Sequence, residues 1–107
     1  MPGKRVLMIT KVDAVWETIG EFHEYWEKEN LPFWVEHGAK HIGSFTNYLG
    51  SSKSQIVRLF EFEDVSQWEK FMKVREEMFH TKEGQESMKK LLKFIEKIEE
   101  TLWVSVY

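Results

Sequence analysis

GEFHEYWEKENLPFWVEHGAKHIGSF, residues 20–45, carries two of the five tryptophans, three of the four histidines and one of the two prolines. It reads as one unit: a helix, a proline break, a short helical turn, a glycine stop and a strand. Upstream, Val15, Ile19, Phe22 and Trp26 recur at i, i+4, i+7 and i+11, one apolar stripe of an amphipathic helix. Glu17, Glu21, Glu24, Glu27, Lys28 and Glu29 take its wet side. Pro32 has no N–H and does not suit a helix interior, so Asn30-Leu31 reads as a break, with Pro32 in the first turn of a short helix ending at His37. Gly38 suits the left-handed position that closes it. Asp13, just before the stripe, is placed to cap the first helix.

Outward from this unit the chain alternates. RVLMITKV, residues 5–12, is a strand with apolar residues on both faces. KHIGSFTNYL, 40–49, and QIVRLFEFE, 55–63, flank a turn at Gly50–Ser54 and read as an antiparallel hairpin. Asp64 caps a second helix, with Gln67 completing a capping-box pattern; Val65, Trp68, Phe71 or Met72, Arg75 and Phe79 mark its inner side. His80-Thr81 and Gly84 interrupt it. Met88, Leu91, Leu92 and Ile95 resume a helical stripe, and TLWVSVY, 101–107, is a fourth strand. The order β-α-β-β-α-β predicts an α+β, ferredoxin-like domain with an antiparallel four-stranded sheet. Both helices of such a unit cover one sheet face. The strands are apolar on both, so a second copy packing sheet against sheet is the expected cover.

The bulk numbers narrow the classes. A chain of 107 residues predicts a single domain, 1–107. With 42% hydrophobic and 31% charged residues it is a globular composition, and 15% aromatics favour a ligand cavity or a large interface. Fifteen Lys and Arg against 18 Asp and Glu give −3, which makes no electrostatic case for nucleic acid. No cysteine is present, which excludes disulfides and thiolate metal sites. The apolar run in MPGKRVLMIT is too short for a signal peptide, and nothing approaches a membrane span. A cytoplasmic location is expected.

The passage Glu24–Phe45, EYWEKENLPFWVEHGAKHIGSF, together with Arg58–Phe71, RLFEFEDVSQWEKF, resembles the NIPSNAP-like branch of the dimeric α/β-barrel superfamily. The resemblance covers almost the whole chain in element order. It implies homodimers formed through the sheets, with a small cavity between sheet and helices in each subunit. Superfamily relatives include cofactor-free monooxygenases, lactone isomerases and haem-degrading monooxygenases. The haem-degrading pattern is an Asn on the first strand, a Trp ending the third and a His in the second helix. Thr10, Phe62 and His80 stand in those regions, so two of its three elements are missing. No cofactor is expected.

Several side chains are candidates for chemistry. His23, beside the first stripe, is either a general base facing the cavity or a half-buried histidine bonded to a neighbour. His23 and Glu27, at i and i+4, suit a helix-surface contact better than a metal, since the second histidine of a zinc helix is absent. Trp26, Phe33 and Trp34 form either an aromatic wall for a flat hydrophobic ligand or ordinary core. Arg58 lies on a strand face with Ile56 and Phe60. It requires a carboxylate, a ligand anion or an exit to solvent, and either anchors a substrate carboxylate or makes a structural ion pair. Tyr48 is at hairpin reach of it. His80 either lines the cavity mouth or is a solvated helix end. His37 reads as a helix C-terminal cap and His41 as a surface residue at a strand start. In an enzyme, His23 would accept a proton while Arg58 or Tyr48 stabilises an enolate-like anion. The rival expectation is a non-catalytic dimeric binding or scaffold module.

Overall fold

The computed structural model describes residues 4–47, 49 and 54–106. Residues 50–53 of the expected turn Gly50–Ser54, with Tyr48 and Tyr107, lie outside the described residues. Strand β1 spans Val6–Ala14, β2 Lys40–Thr46, β3 Gln55–Phe62 and β4 Ile95–Val104. They form one sheet in the order β2-β3-β1-β4, with every neighbouring pair antiparallel. The α+β, ferredoxin-like expectation holds.

Strand alternation sorts the side chains. Val6, Met8, Thr10, Val12 and Ala14 of β1, with Ile56, Arg58, Phe60 and Phe62 of β3, are buried on the helix-covered face. On the opposite face Leu7 and Ile9 pair with Glu61 and Leu59 of β3 and with Trp103 and Thr101 of β4. Phe45 pairs with Val57 there, and Trp103 and Phe45 are 59% and 55% exposed. A bulge at Ile42 precedes Gly43, over which the Phe45 ring lies so closely that an added Cβ would come within 2.9 Å of it. Both faces are therefore apolar at their centre, with only one layer of helices.

The first helical segment differs from expectation in its start and its middle. Asp13 does not cap it. β1 continues through Asp13 to Ala14, and the Asp13 carboxylate accepts a 3.2 Å hydrogen bond from Gln55 Nε2. The strand is drawn out because β4 starts early, Ala14 facing Ile95. The helix opens instead with a 3₁₀ turn, Trp16–Thr18, and continues as α1, Ile19–Tyr25. Pro32 does not break it either. A π-helical turn, Trp26–Asn30, closes with the Leu31 N–H on the Trp26 carbonyl, and α2, Leu31–Glu36, follows directly. Pro32 then sits in the first turn of α2, where its missing N–H leaves no gap. The extra residue of a π-turn offsets the helical phase, and Trp26, Asn30, Phe33 and Trp34 all reach the same cavity. Gly38, at φ 99°, ends α2 as expected, with its own N–H on Val35 O and the Ala39 N–H on Trp34 O.

Helix α3, Val65–Phe79, is capped by Asp64, whose Oδ1 accepts the Gln67 N–H at 2.7 Å. The Gln67 side chain answers to the N–H of Glu63, one residue before the cap. Phe71 is buried from α3, whereas Val65, placed inward by the pattern, is 39% exposed. Thr81 caps α4, Lys82–Leu92, through the Gly84 N–H. The expected helical stripe ends earlier: Leu92 is 59% exposed and Ile95 opens β4. This strand was expected only from residue 101. Its first half, IEKIEE, has the charge of a wet helix because it is an edge strand, exposed along most of its length.

The core is an aromatic stack between helices and sheet. Trp34 lies 4.3 Å from Phe60 and 4.7 Å from Phe71, centroid to centroid, and Phe71 lies 5.3 Å from Phe62. Such pairs add about 0.5–1.5 kcal/mol each beyond their area.

Two glycines test this packing in opposite directions. At buried Gly84 an added Cβ would fall on the Met78 carbonyl oxygen, whereas at Gly20, in α1, it would meet nothing within 4 Å. Gly84→Ala is expected to lose about 1–3 kcal/mol in urea denaturation. Gly20→Ala is expected to gain about 0.5–1 kcal/mol.

Candidate functional site

Between the helix-covered face of the sheet and the helices lies a cavity of about 420 Å³. Phe22, Tyr25, Trp26, Phe33 and Trp34 form its aromatic wall. Helix α4 closes it from above with Gly84, Met88 and Leu91, and the close approach of Gly84 to the end of α3 sets that lid's height.

Arg58 forms part of the sheet side. It stands between Thr10 of β1 and Ser44 of β2 in the register and is 1% exposed. Its guanidinium carbon sits 3.8 Å from the Trp26 ring centroid and 5.2 Å from that of Phe22. Among the described residues, neither its Nε nor its Nη2 has a hydrogen-bond partner. Burial lowers its pKa from the ordinary arginine value to about 10, against a smaller opposing pull from Glu27, so it remains a cation at neutral pH. Arg75 of α3 also lines the cavity, but its charge is answered: Nη1 and Nη2 each donate a 2.7 Å hydrogen bond to Glu100 of β4. Asn30, at the end of the π-turn, leaves a buried Oδ1 without a partner at the same cavity.

Of the residues singled out by sequence, Trp26, Phe33, Trp34 and Arg58 converge on this cavity. His23 does not. It pairs with Glu27 at 3.3 Å and lines a separate groove with Trp16, Ile19, Phe45 and Ile56. His80 is exposed at the C-terminus of α3, outside the cavity lining. Tyr48 lies outside the described residues. His37 ends α2 with its ring 4.6 Å from Phe33.

His41 is not the surface residue expected. It pairs with Phe60 on the helix-covered face, half-buried, with its ring 5.7 Å from Trp26 and its Nε2 3.0 Å from Ser44 Oγ. The bulge after it obscured this, because a uniform alternation from Lys40 does not locate the residue at which the strand slips. Thr10, Tyr25, Asn30 and Arg75 were likewise not singled out as site residues. Buried Thr10 opposite Arg58 was the readable signal, since it is a polar residue on an otherwise apolar strand face. Among the described residues, no three His, Asp or Glu side chains gather as metal ligands. No helix among them is long and apolar enough to cross a membrane.

A four-stranded antiparallel sheet with helices on one face and a cavity beneath them defines an α+β, ferredoxin-like protein. Residues 13–106 match the NIPSNAP family, and the chain belongs to it. Several solved structures of similar shape carry the same family name. An uncharacterised NIPSNAP domain protein from Burkholderia xenovorans superposes with a TM-score of 0.76 at 17% identity, covering 94% of each chain. A NIPSNAP family protein of unknown function from Agrobacterium tumefaciens gives 0.77 at 15% identity, covering 98% of this chain and 91% of that one. A protein from Pseudomonas aeruginosa gives 0.67 at 7% identity, over 100% and 99%. No curated protein matches the sequence.

The surroundings of His41 predict a pH response. Burial first, and the Arg58 charge second, hold its imidazole below the usual 6.5. Glu27 and the Gly43 backbone pull the other way, and His23 adds to the lowering. The folded state resists the proton that the unfolded chain accepts, so stability is expected to fall as pH drops through about 6.5. A histidine NMR titration should place His41 below that value, and His41→Asn should flatten the fall in urea stability.

Proposed function

We propose that the protein is a single-domain small-molecule-binding module whose ligand is a flat, hydrophobic, aromatic compound held between α1–α2, α4 and the sheet. The observation that carries this reading is the cavity of about 420 Å³ walled by aromatic rings. That volume lies in the range of small-molecule sites. The aromatic excess of the sequence supports it, because Trp34 and Phe60 stack in the core while Tyr25 and Phe33, only part-buried, line the cavity.

A second reading, cofactor-independent oxygenase or isomerase chemistry, is favoured by one feature. Arg58 is a buried cation fit to stabilise an enolate-like anion. That chemistry also asks for a proton acceptor at the cavity, and His23 lines another groove. A binding module needs no such acceptor and stands first.

We also propose that two copies pair through their open sheet faces. The centre of that face is apolar, with Leu7, Ile9, Leu59 and Trp103. At one end, Lys11 and Lys97 stand with Asp13 and Glu99, so a two-fold partner meets opposite as well as like charge.

Calorimetric titration with 2-naphthamide, a neutral two-ring probe, tests the cavity. Wild type is expected to bind it, and Met88→Trp, which fills the space under α4, to weaken binding at least about tenfold with unchanged far-UV circular dichroism. Absence of binding to wild type overturns the reading. For the pairing, Leu59→Glu is expected to convert a dimer to a monomer in sedimentation velocity. A wild-type chain that sediments as a monomer at micromolar concentration removes it.

A further inference from the structure

We propose that the cavity selects a ligand with a single carboxylate on its apolar body, and that the carboxylate is received by the guanidinium of Arg58. The inference rests on the cavity-binding reading and names the chemical class of its ligand.

The identity of the two unpartnered atoms is the first ground. Nε and Nη2 lie on the same edge of a guanidinium and direct two nearly parallel N–H bonds outward, the spacing that matches the two oxygens of a carboxylate. Both are buried and donate to nothing among the described residues, and Arg58 lines the cavity. The flat face of the group is already taken by Trp26, at 3.8 Å. A stacked guanidinium still offers its edge in the plane, so stacking and in-plane recognition are compatible.

Arg75 is the internal control. It lines the same cavity, and the chain supplies Glu100 to it in a bidentate pair of 2.7 Å bonds. For Arg58 no such carboxylate is supplied, and no ion pair within 4.0 Å is found for it among the described residues. A buried cation left without an anion is strongly disfavoured, and the group that relieves it is one that arrives from outside.

The walls set the rest of the ligand. With aromatic rings on the α1–α2 side and Met88 and Leu91 above, the body is apolar and flat. Arg58 is the buried, unanswered positive charge at the cavity, whereas Lys90, Glu29, Glu83 and Glu86 of the lining are exposed, so the buried end of the ligand calls for one negative charge. A dianion such as a phosphate monoester would leave charge uncompensated among those rings.

Titration of the full chain with 2-naphthoate and with 2-naphthamide, which differ only in charge and donor pattern, tests the proposal. Wild type is expected to bind the acid about ten- to a hundredfold more tightly than the amide. Arg58→Met is expected to bring that ratio near one while still binding the amide. Arg58→Lys, which keeps the charge and loses the fork, is expected to retain an intermediate ratio and serves if the methionine variant does not fold. Equal binding of acid and amide by wild type overturns the carboxylate inference and leaves the cavity reading standing. A preference for the acid that persists in both variants also overturns it. Failure of wild type to bind either probe overturns both.

Discussion

The guanidinium of Arg58 lies against the indole of Trp26 at 3.8 Å, on a strand whose neighbouring inward positions are Ile56 and Phe60. Among the described residues, no carboxylate answers its Nε–H and Nη2–H. Nearly every feature of the helix-covered face adjusts to that placement. Trp26 must reach across from the helix to give the cation a polarisable surface. The neighbouring His41 ring loses basicity in the same surroundings. Burying a lone cation is adverse for folding.

The helical segment opposite explains how Trp26 comes to be there. A regular helix through Pro32 would leave a carbonyl without its donor and press the pyrrolidine ring on the preceding turn. The π-turn at Trp26–Asn30 absorbs that conflict with one extra residue. In doing so it carries Asn30, Phe33 and Trp34 to the side of the cavity. A feature forced by one proline thereby shapes the wall of the site.

Element order was legible because each element has its own signal: period-two strands, the Asp64 cap with Gln67, and Gly38 at a position that needs positive φ. Arg58 was legible for a similar reason, as a charge among residues that alternate toward a core. The phase of the first helix was not. The apolar stripe assumes an even 100° per residue, and the 3₁₀ start and the π-turn both break that count. His23 therefore seemed adjacent to the cavity and instead lines a separate groove. Asp13 misled in another way. A carboxylate before an apolar stripe has the pattern of a cap, but an early β4 supplied backbone partners that held it in the sheet. The first half of β4 was unreadable because an edge strand with charges on both sides has no apolar alternation to show.

That charged strand limits how the molecule meets its own kind. Glu96, Lys97, Glu99 and Glu100 crowd one border of the sheet. Adding another strand alongside would set this row of charges against an incoming backbone, a poor template for lateral growth. On the hydrophobic side of the sheet, charge gathers at one end, at Lys11, Asp13, Lys97 and Glu99, and the centre is apolar. In the sheet-to-sheet pairing proposed above, stacking uses up the apolar centre in a single step, whereas an added strand at the β4 border meets charge.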